Sequence, residues 1–266
     1  MSDADHTRSD GLTIGFAWVG RRLQQVRYTV EDGYAVADGC IILGRVEDIE
    51  ALTEAARGAS VKSVERRLSP PPYLWPNKTV AYEIDADVSS PERVTGAIAH
   101  WQSNTSLKFI RRTPTNRAAF PNYIRFVNQP GCRSAVGCQG GEQLLKLGAS
   151  CDLGKVMHEI GHAVGLFHEH ARSDRDQWVK IVVEKVDLRN RHVLEEKLSG
   201  GDEYGEYDYG SIMHYPVDAF TTDRSASIIP LKPTTARIGQ RDGLSKRDIA
   251  SVEHLYSAGL MPDDTA

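Results

Sequence analysis

From Val46 to Arg57 the apolar residues Val46, Ile49, Leu52 and Ala56 recur at three- and four-residue intervals, and Gly58 follows. That period puts them on one face of a helix, with the glycine at its end. Pro91 to Ser103 predicts a second helix with its proline at a favoured starting position. Val186 to Lys197 predicts a third, and Leu244 to Tyr256 a closing helix capped by Ser245 or Asp248. Elsewhere the period is nearer two. Gln24 to Val30 alternates, Glu31-Asp32-Gly33 is a turn signal, and Tyr34 to Val36 and Cys40 to Leu43 are short extended runs around Asp38-Gly39. Thr79 to Ile84, Leu107 to Arg111, Tyr123 to Val127 and Gln143 to Leu147 predict further strands, and Trp178 to Val183 a short extended piece. Pro130 to Gly148 is otherwise glycine-rich and loop-like, and Gly200 to Tyr209 is a polar loop bearing tyrosines. Strand, helix and strand in succession imply a mixed sheet packed on helices, an α+β arrangement.

Composition divides this pattern in two. Ser60 to Arg67 is polar and basic, and Ser69-Pro70-Pro71-Pro72 is stiff and extended. Together they read as a linker or processing region behind a small leading unit of about sixty residues. The whole chain of 266 residues is long enough for one sizeable domain or two small ones. Its net charge of −4, with both signs mixed along the chain, argues against a nucleic-acid face or a polybasic membrane patch. Its longest apolar runs are too short to span a bilayer. Met1 to Gly11 is polar and acidic and shows no signal peptide.

The densest chemistry lies in Val156-Met157-His158-Glu159-Ile160-Gly161-His162-Ala163-Val164-Gly165-Leu166-Phe167-His168-Glu169. His158 and His162 stand one turn apart on a helix and face the same way. Two imidazoles so placed can grip one zinc ion. Glu159 is turned by about 100° from His158, beside the metal without ligating it, which suits a general base. His168 cannot join them on a continuing helix, because six more residues carry it roughly 9 Å along the axis. Gly165 can take the left-handed conformation that ends a helix, so the spacing predicts a break and a third ligand from the loop. Three neutral imidazoles leave one position open, as in catalytic zinc sites.

Downstream, Tyr207-Asp208-Tyr209-Gly210-Ser211-Ile212-Met213-His214-Tyr215 supplies the Met-turn that accompanies this zinc pattern in metzincins. These residues, with His168-Glu169-His170-Ala171-Arg172-Ser173-Asp174-Arg175-Asp176 and Ile238-Gly239-Gln240-Arg241 through Leu244-Ser245 to Asp248-Ile249, resemble the astacin family of zinc endopeptidases, in a bacterial-type proenzyme form. The resemblance runs from about Tyr73 to Tyr256. It implies a metzincin fold with two lobes flanking a substrate cleft and a mixed twisted sheet with an active-site helix. It also implies one catalytic Zn2+ and hydrolysis of protein or peptide substrates.

The resemblance carries further roles. Residues 1–65 become an inhibitory propeptide and 66–266 the catalytic domain, separated by an activating protease or by self-cleavage near Arg66. Tyr215 binds zinc in the resting enzyme and then swings away to hydrogen-bond the tetrahedral intermediate. Met213 forms an apolar floor under the metal, and Glu169 engages the mature N-terminus. An edge strand over Arg133, Ser134, Ala135, Val136 and Gly137 pairs with extended substrate, which binds peptide backbone with little regard to sequence. Of the four cysteines, Cys132 and Cys151 match a family disulfide. A second family disulfide has no counterpart near Ser106 or beyond Tyr256. The family is expected outside the cell, so the missing signal peptide requires a removed leader or an unconventional export route. His170, His192, His214 and His254 have no assigned chemistry, and Arg172, Asp174, Arg175 and Asp176 read as structural ion pairs.

One departure stands out. Astacin propeptides carry an aromatic-Glu-Gly-Asp motif whose aspartate blocks the zinc. Here the matching stretch is Ala37-Asp38-Gly39-Cys40, with cysteine at the aspartate position. A thiolate is the better zinc ligand, so the sequence predicts a cysteine switch in which Cys40 takes the fourth position. The alternatives are a Cys40–Cys138 disulfide or buried thiol, and a ligand role for Asp38. Two other functions compete with an endopeptidase: a catalytically silent zinc-bearing binding module, and a zinc amidohydrolase for small substrates.

Overall fold

The computed structural model describes residues 11–68, 70–198 and 203–257. The N-terminal segment read for a signal peptide lies almost wholly outside them, as does part of the Gly200 to Tyr209 loop. The chain opens with β1 (Thr13–Val19), β2 (Arg22–Glu31), β3 (Tyr34–Ala37) and β4 (Ile41–Arg45), then α1 (Val46–Arg57) and α2 (Val61–Arg67). There follow β5 (Thr79–Ile84), α3 (Glu92–Asn104), β6 (Lys108–Arg111), β7 (Tyr123–Val127), β8 (Cys132–Ser134), β9 (Glu142–Leu147) and α4 (Leu153–Ala163). β10 (Val179–Ile181), α5 (Arg191–Glu195), β11 (Ile228–Pro230) and α6 (Lys246–Ser257) complete it.

Nine strands form one mixed sheet in the order β1-β2-β3-β4-β8-β9-β7-β5-β6. The first four make an antiparallel meander, while β9, β7, β5 and β6 are parallel. β8 runs antiparallel to β9. The two groups join where β4 meets β8 in parallel, through Ile41 and Ser134. The leading unit is therefore not set apart, as the composition shift suggests, but continues the sheet of the rest of the chain. Its Tyr28, Ile41 and Ile49 belong to the same apolar core as Leu145, Val156 and Ile160.

Apolar burial is what attaches it. Each fully buried isoleucine contributes about 1.5–3 kcal/mol, whereas exposed ion pairs contribute about 0–1 kcal/mol. Ile41 and Ile49 therefore outweigh the half-exposed pairs that Arg27 makes with Glu195 and Glu196. A second core gathers around Val179, Leu194, Tyr207 and Ile228, all of which follow α4 in the sequence.

Three elements depart from the sequence pattern. The basic stretch read as a linker is helix α2. Ser60 caps it by accepting from Ser63 N, Val64 is 1% exposed, and Glu65 Oε1 accepts from Leu23 N at 2.9 Å. The helix expected over Val186 to Lys197 shrinks to α5, because Asp187 accepts from Arg189 N and opens a short 3-10 turn instead. β1 has no predicted counterpart. Its core-facing residues are the small Gly15 and Ala17 with Val19, while Ile14, Phe16 and Trp18 point the other way. Small residues are needed there, since a Cβ on Gly15 would stand 2.8 Å from Thr53 and 2.9 Å from Ile49 of α1. No helix of the described residues is long and apolar enough to cross a membrane.

Candidate active site

α4 begins where Asp152 accepts from Lys155 N at 2.9 Å, an N-cap contributing about 1 kcal/mol. Just ahead of it, Cys132 and Cys151 form a disulfide that ties β8 to the start of the helix. From Val156 to Ala163 every residue of α4 is buried, so it is a core helix with polar side chains aimed into one enclosed site. Gly161 lets the Met-turn approach closely: a Cβ there would meet Met213 Sδ at 2.5 Å. The Met-turn is pinned by Asp248, which accepts from Ser211 Oγ at 2.6 Å and Ile212 N at 2.9 Å. At the first turn of α6, Ser245 Oγ and Asp248 also cap each other's backbone N–H groups.

Gly165 ends the helix at φ +113°, as its spacing predicts, and a Cβ would also stand 2.8 Å from Leu255. The buried carbonyls that this terminus leaves without a helix partner are satisfied by side chains the sequence does not mark as site residues. Trp75 Nε1 donates to Ala163 O at 2.7 Å, Tyr256 Oη to Val164 O at 3.1 Å and Tyr73 Oη to Gly165 O at 2.7 Å. The turn then returns His168 to the other two histidines.

The three imidazoles converge. His168 Nε2 stands 3.2 Å from both His158 Nε2 and His162 Nε2. His158 Nδ1 donates to Ile212 O and His162 Nδ1 to Leu166 O, each at 2.8 Å, and His168 Nδ1 faces Asp38 Oδ2 at 2.6 Å. Carbonyl oxygens only accept, so in His158 and His162 the proton sits on Nδ1 and Nε2 presents a lone pair. Burial holds the His158 and His162 rings well below their usual pKa, hence neutral. Turned toward one another in this way, the three Nε2 atoms make a site that could hold a metal cation.

Cys40 completes the set. It is not in a disulfide, and its Sγ lies 3.3 Å from Nε2 of His162 and of His168 and 3.8 Å from Nε2 of His158. Zinc bound tetrahedrally at about 2.0–2.1 Å from nitrogen and about 2.3 Å from sulfur would space its donors roughly 3.3–3.6 Å apart. The donors present fit such an ion. Without one, burial and the nearby Glu159 and Asp38 push the Cys40 thiol well above its usual pKa.

Around this cluster, Glu159 is 2% exposed, and its Oε2 has no hydrogen-bond partner among the described residues. Burial raises its carboxyl to about 8, partly offset by Arg241 and Arg133. Tyr215 Oη donates to Asp38 O at 2.7 Å. Its ring stacks on His170, whose centroid is 4.4 Å away. Asp38 (φ +48°) and Gly39 (φ +75°) form the turn between β3 and β4 that carries Cys40 in. Glu169 Oε1 accepts from Asp208 N at 2.7 Å and lies 3.7 Å from Arg172. A cleft of about 390 Å³ opens beside Cys40, His158, Glu159 and Tyr215.

Of the expected substrate strand over Arg133 to Gly137, only Arg133 and Ser134 lie in a strand, as part of β8. Its outer edge is covered by β4, with Ser134 N donating to Cys40 O. Gly137 instead turns at φ +74° and donates its N–H to His162 O. Asp38 is not a member of the histidine–thiol donor set: it stands behind His168, with Oδ1 3.5 Å from His170 Nε2.

Residues 68–257 match the family model Astacin, which describes a family of peptidases. Nematocyst expressed protein 6 of Nematostella vectensis is 35% identical over 205 residues, 72% of this chain and 68% of that protein. Zinc metalloproteinase nas-15 of Caenorhabditis elegans is 37% identical over 193 residues, 69% of this chain but only 32% of that longer protein. Among solved structures, high choriolytic enzyme 1, a hatching enzyme zinc-protease from the medaka Oryzias latipes, is similar at TM-score 0.61 and 33% identity. That similarity covers 69% of this chain and 92% of the medaka enzyme. These relatives are animal proteins and give the expected bacterial type no support. On this similarity, and on the histidine constellation it accompanies, the chain belongs to the astacin family of peptidases.

Proposed function

We infer that the chain is a zinc endopeptidase in latent form, in which residues 1–65 hold the catalytic domain of residues 66–266 inactive through Cys40. The observation that carries this reading is the Cys40 Sγ position, 3.3–3.8 Å from all three histidine Nε2 atoms. A thiolate with three imidazoles is a donor set suited to zinc. Bound there, zinc would supply polarisation of the scissile carbonyl and a lowered pKa for water.

His158, His162 and His168 hold the ion. Glu159 accepts the proton of the attacking water and passes it to the leaving amine, for which a buried carboxylate with an unpaired oxygen is suited. Tyr215, once released from Asp38, is free either to approach the ion or to donate to the oxygen that gains charge. Met213 supports the site from below. Cleavage near Arg66 removes β4 together with Cys40, and this would open the β8 edge to an extended peptide substrate. Glu169 would then be available to the new N-terminus. The disulfide is in keeping with secretion.

The test is Cys40→Ala in the full-length chain, assayed on a protein substrate before any processing. Early activity or rapid self-cleavage is expected, with the wild-type thiol becoming open to alkylation when zinc is stripped. A Cys40→Ala precursor as latent as the wild type rules the switch out, as does a mapped disulfide at Cys40.

A further inference from the structure

The Nδ1 atoms of the three histidines are held unequally. Those of His158 and His162 bond main-chain carbonyls of the catalytic part, Ile212 O and Leu166 O. That of His168 bonds a carboxylate, Asp38 Oδ2 at 2.6 Å, brought in by the leading unit. Both groups are sealed from water, the His168 side chain at 0% and Asp38 at 4% exposure. A buried carboxylate is costly to keep unless something compensates it. Among the described residues its side-chain partners are His168, at 2.6 Å, and His170, farther off at 3.5 Å.

We propose that Asp38 is the outer-sphere partner of His168 in the latent protein, so that the segment which blocks the site also tightens its grip on the metal. This rests on the reading that a metal sits among the three histidines. A carboxylate behind a ligating imidazole fixes the ring and makes its far nitrogen a stronger donor. Such a charge-assisted bond is also stronger than the carbonyl bonds behind the other two rings.

Charge points the same way. A divalent cation among the three imidazoles gains one negative charge from the Cys40 thiolate and one from Asp38. Both come from a single turn, and Gly39 at φ +75° lets the two side chains reach opposite sides of His168. Both leave with the leading unit, while Glu159 remains. The latent site therefore holds its metal more firmly than the processed one, and activation loosens the metal as it opens the site. Asp38 is a positioning residue and touches neither substrate nor metal.

The experiment uses the full chain carrying Glu159→Gln to stop self-processing, with and without Asp38→Asn. Asparagine tolerates the φ of +48° at this position, and its amide oxygen can still accept from Nδ1, so shape is kept and charge is lost. Zinc transfer to a chromogenic chelator should be about 10–100-fold faster in Asp38→Asn. In the cobalt-substituted proteins the thiolate-to-cobalt charge-transfer band should persist in both. The melting temperature of the metal-free proteins should be the same. Equal release rates overturn the proposal. So does a metal-free melting temperature that falls as far as the metal-loaded one, since Asp38 would then hold the fold and not the metal. The band reports on Cys40 and the release rate on Asp38, so the cysteine reading and this one can fail separately.

Discussion

The hydroxyl of Tyr215 donates to the main-chain carbonyl of Asp38 at 2.7 Å. A residue suited to the chemistry is thus tied to the backbone of the segment proposed to shut the site. Phe220 and His170 pack against its ring at centroid distances of 5.3 and 4.4 Å, so the hydroxyl has a fixed address until that carbonyl leaves.

Tyr215→Phe should lower kcat of the processed enzyme more than it raises KM, because the hydroxyl is assigned to charge that develops during the reaction. Steady-state kinetics on a peptide substrate measure the split. A change confined to KM makes Tyr215 a ground-state contact.

Glu159→Gln should keep fold and metal while turnover falls at least roughly a hundredfold, since general-base catalysis contributes roughly 10²–10⁴. The amide has the same shape and cannot take the water's proton. Metal content by atomic absorption, alongside the rate, separates loss of the base from loss of the site.

Gly39→Ala should weaken latency without altering the processed enzyme, which on the proposed boundary lacks this residue. Alanine at φ +75° costs about 1–2 kcal/mol, and its Cβ would stand 2.6 Å from Tyr215 Oη. Basal activity of the unprocessed chain should rise. An unchanged basal rate would show that the turn relaxes elsewhere.

Trp75→Phe should destabilise the protein by roughly 1–3 kcal/mol, the cost of leaving a buried carbonyl unpaired. The carbonyl is that of Ala163, at the end of the helix that carries His158 and His162. Denaturant unfolding at fixed metal concentration gives the number. A change near zero would mean that water replaces the indole.

The cluster of three histidines is legible in the sequence because their relation is local. His158 and His162 are one helical turn apart, and the break at Gly165 fixes where His168 can go. Cys40 is legible only through the motif it interrupts. Asp38 and His168 are 130 positions apart, and no spacing announces that they meet. The same holds for Trp75, Tyr73 and Tyr256 at the helix terminus, and for Asp248, which reads from sequence as a helix cap and also fastens the Met-turn. Among the elements, β1 escapes because its outer face is as apolar as its inner one, which erases the alternation. α2 escapes because a short basic run with one buried valine resembles a linker until its packing is seen.

That helix has a kinetic consequence. Arg66 lies in the last turn of α2, with Val64 buried beneath and Leu68 N bonded back to Val64 O. Proteases engage their targets as extended strands. The proposed cut therefore waits for the turn to unravel. When reclosing outpaces cutting, the rate at which mature enzyme appears is the cutting rate multiplied by the fraction of molecules open at that moment. Each increment of about 1.4 kcal/mol in holding α2 shut lengthens the delay about tenfold. On the proposed boundary, the stability of this one short helix would set how soon mature enzyme appears.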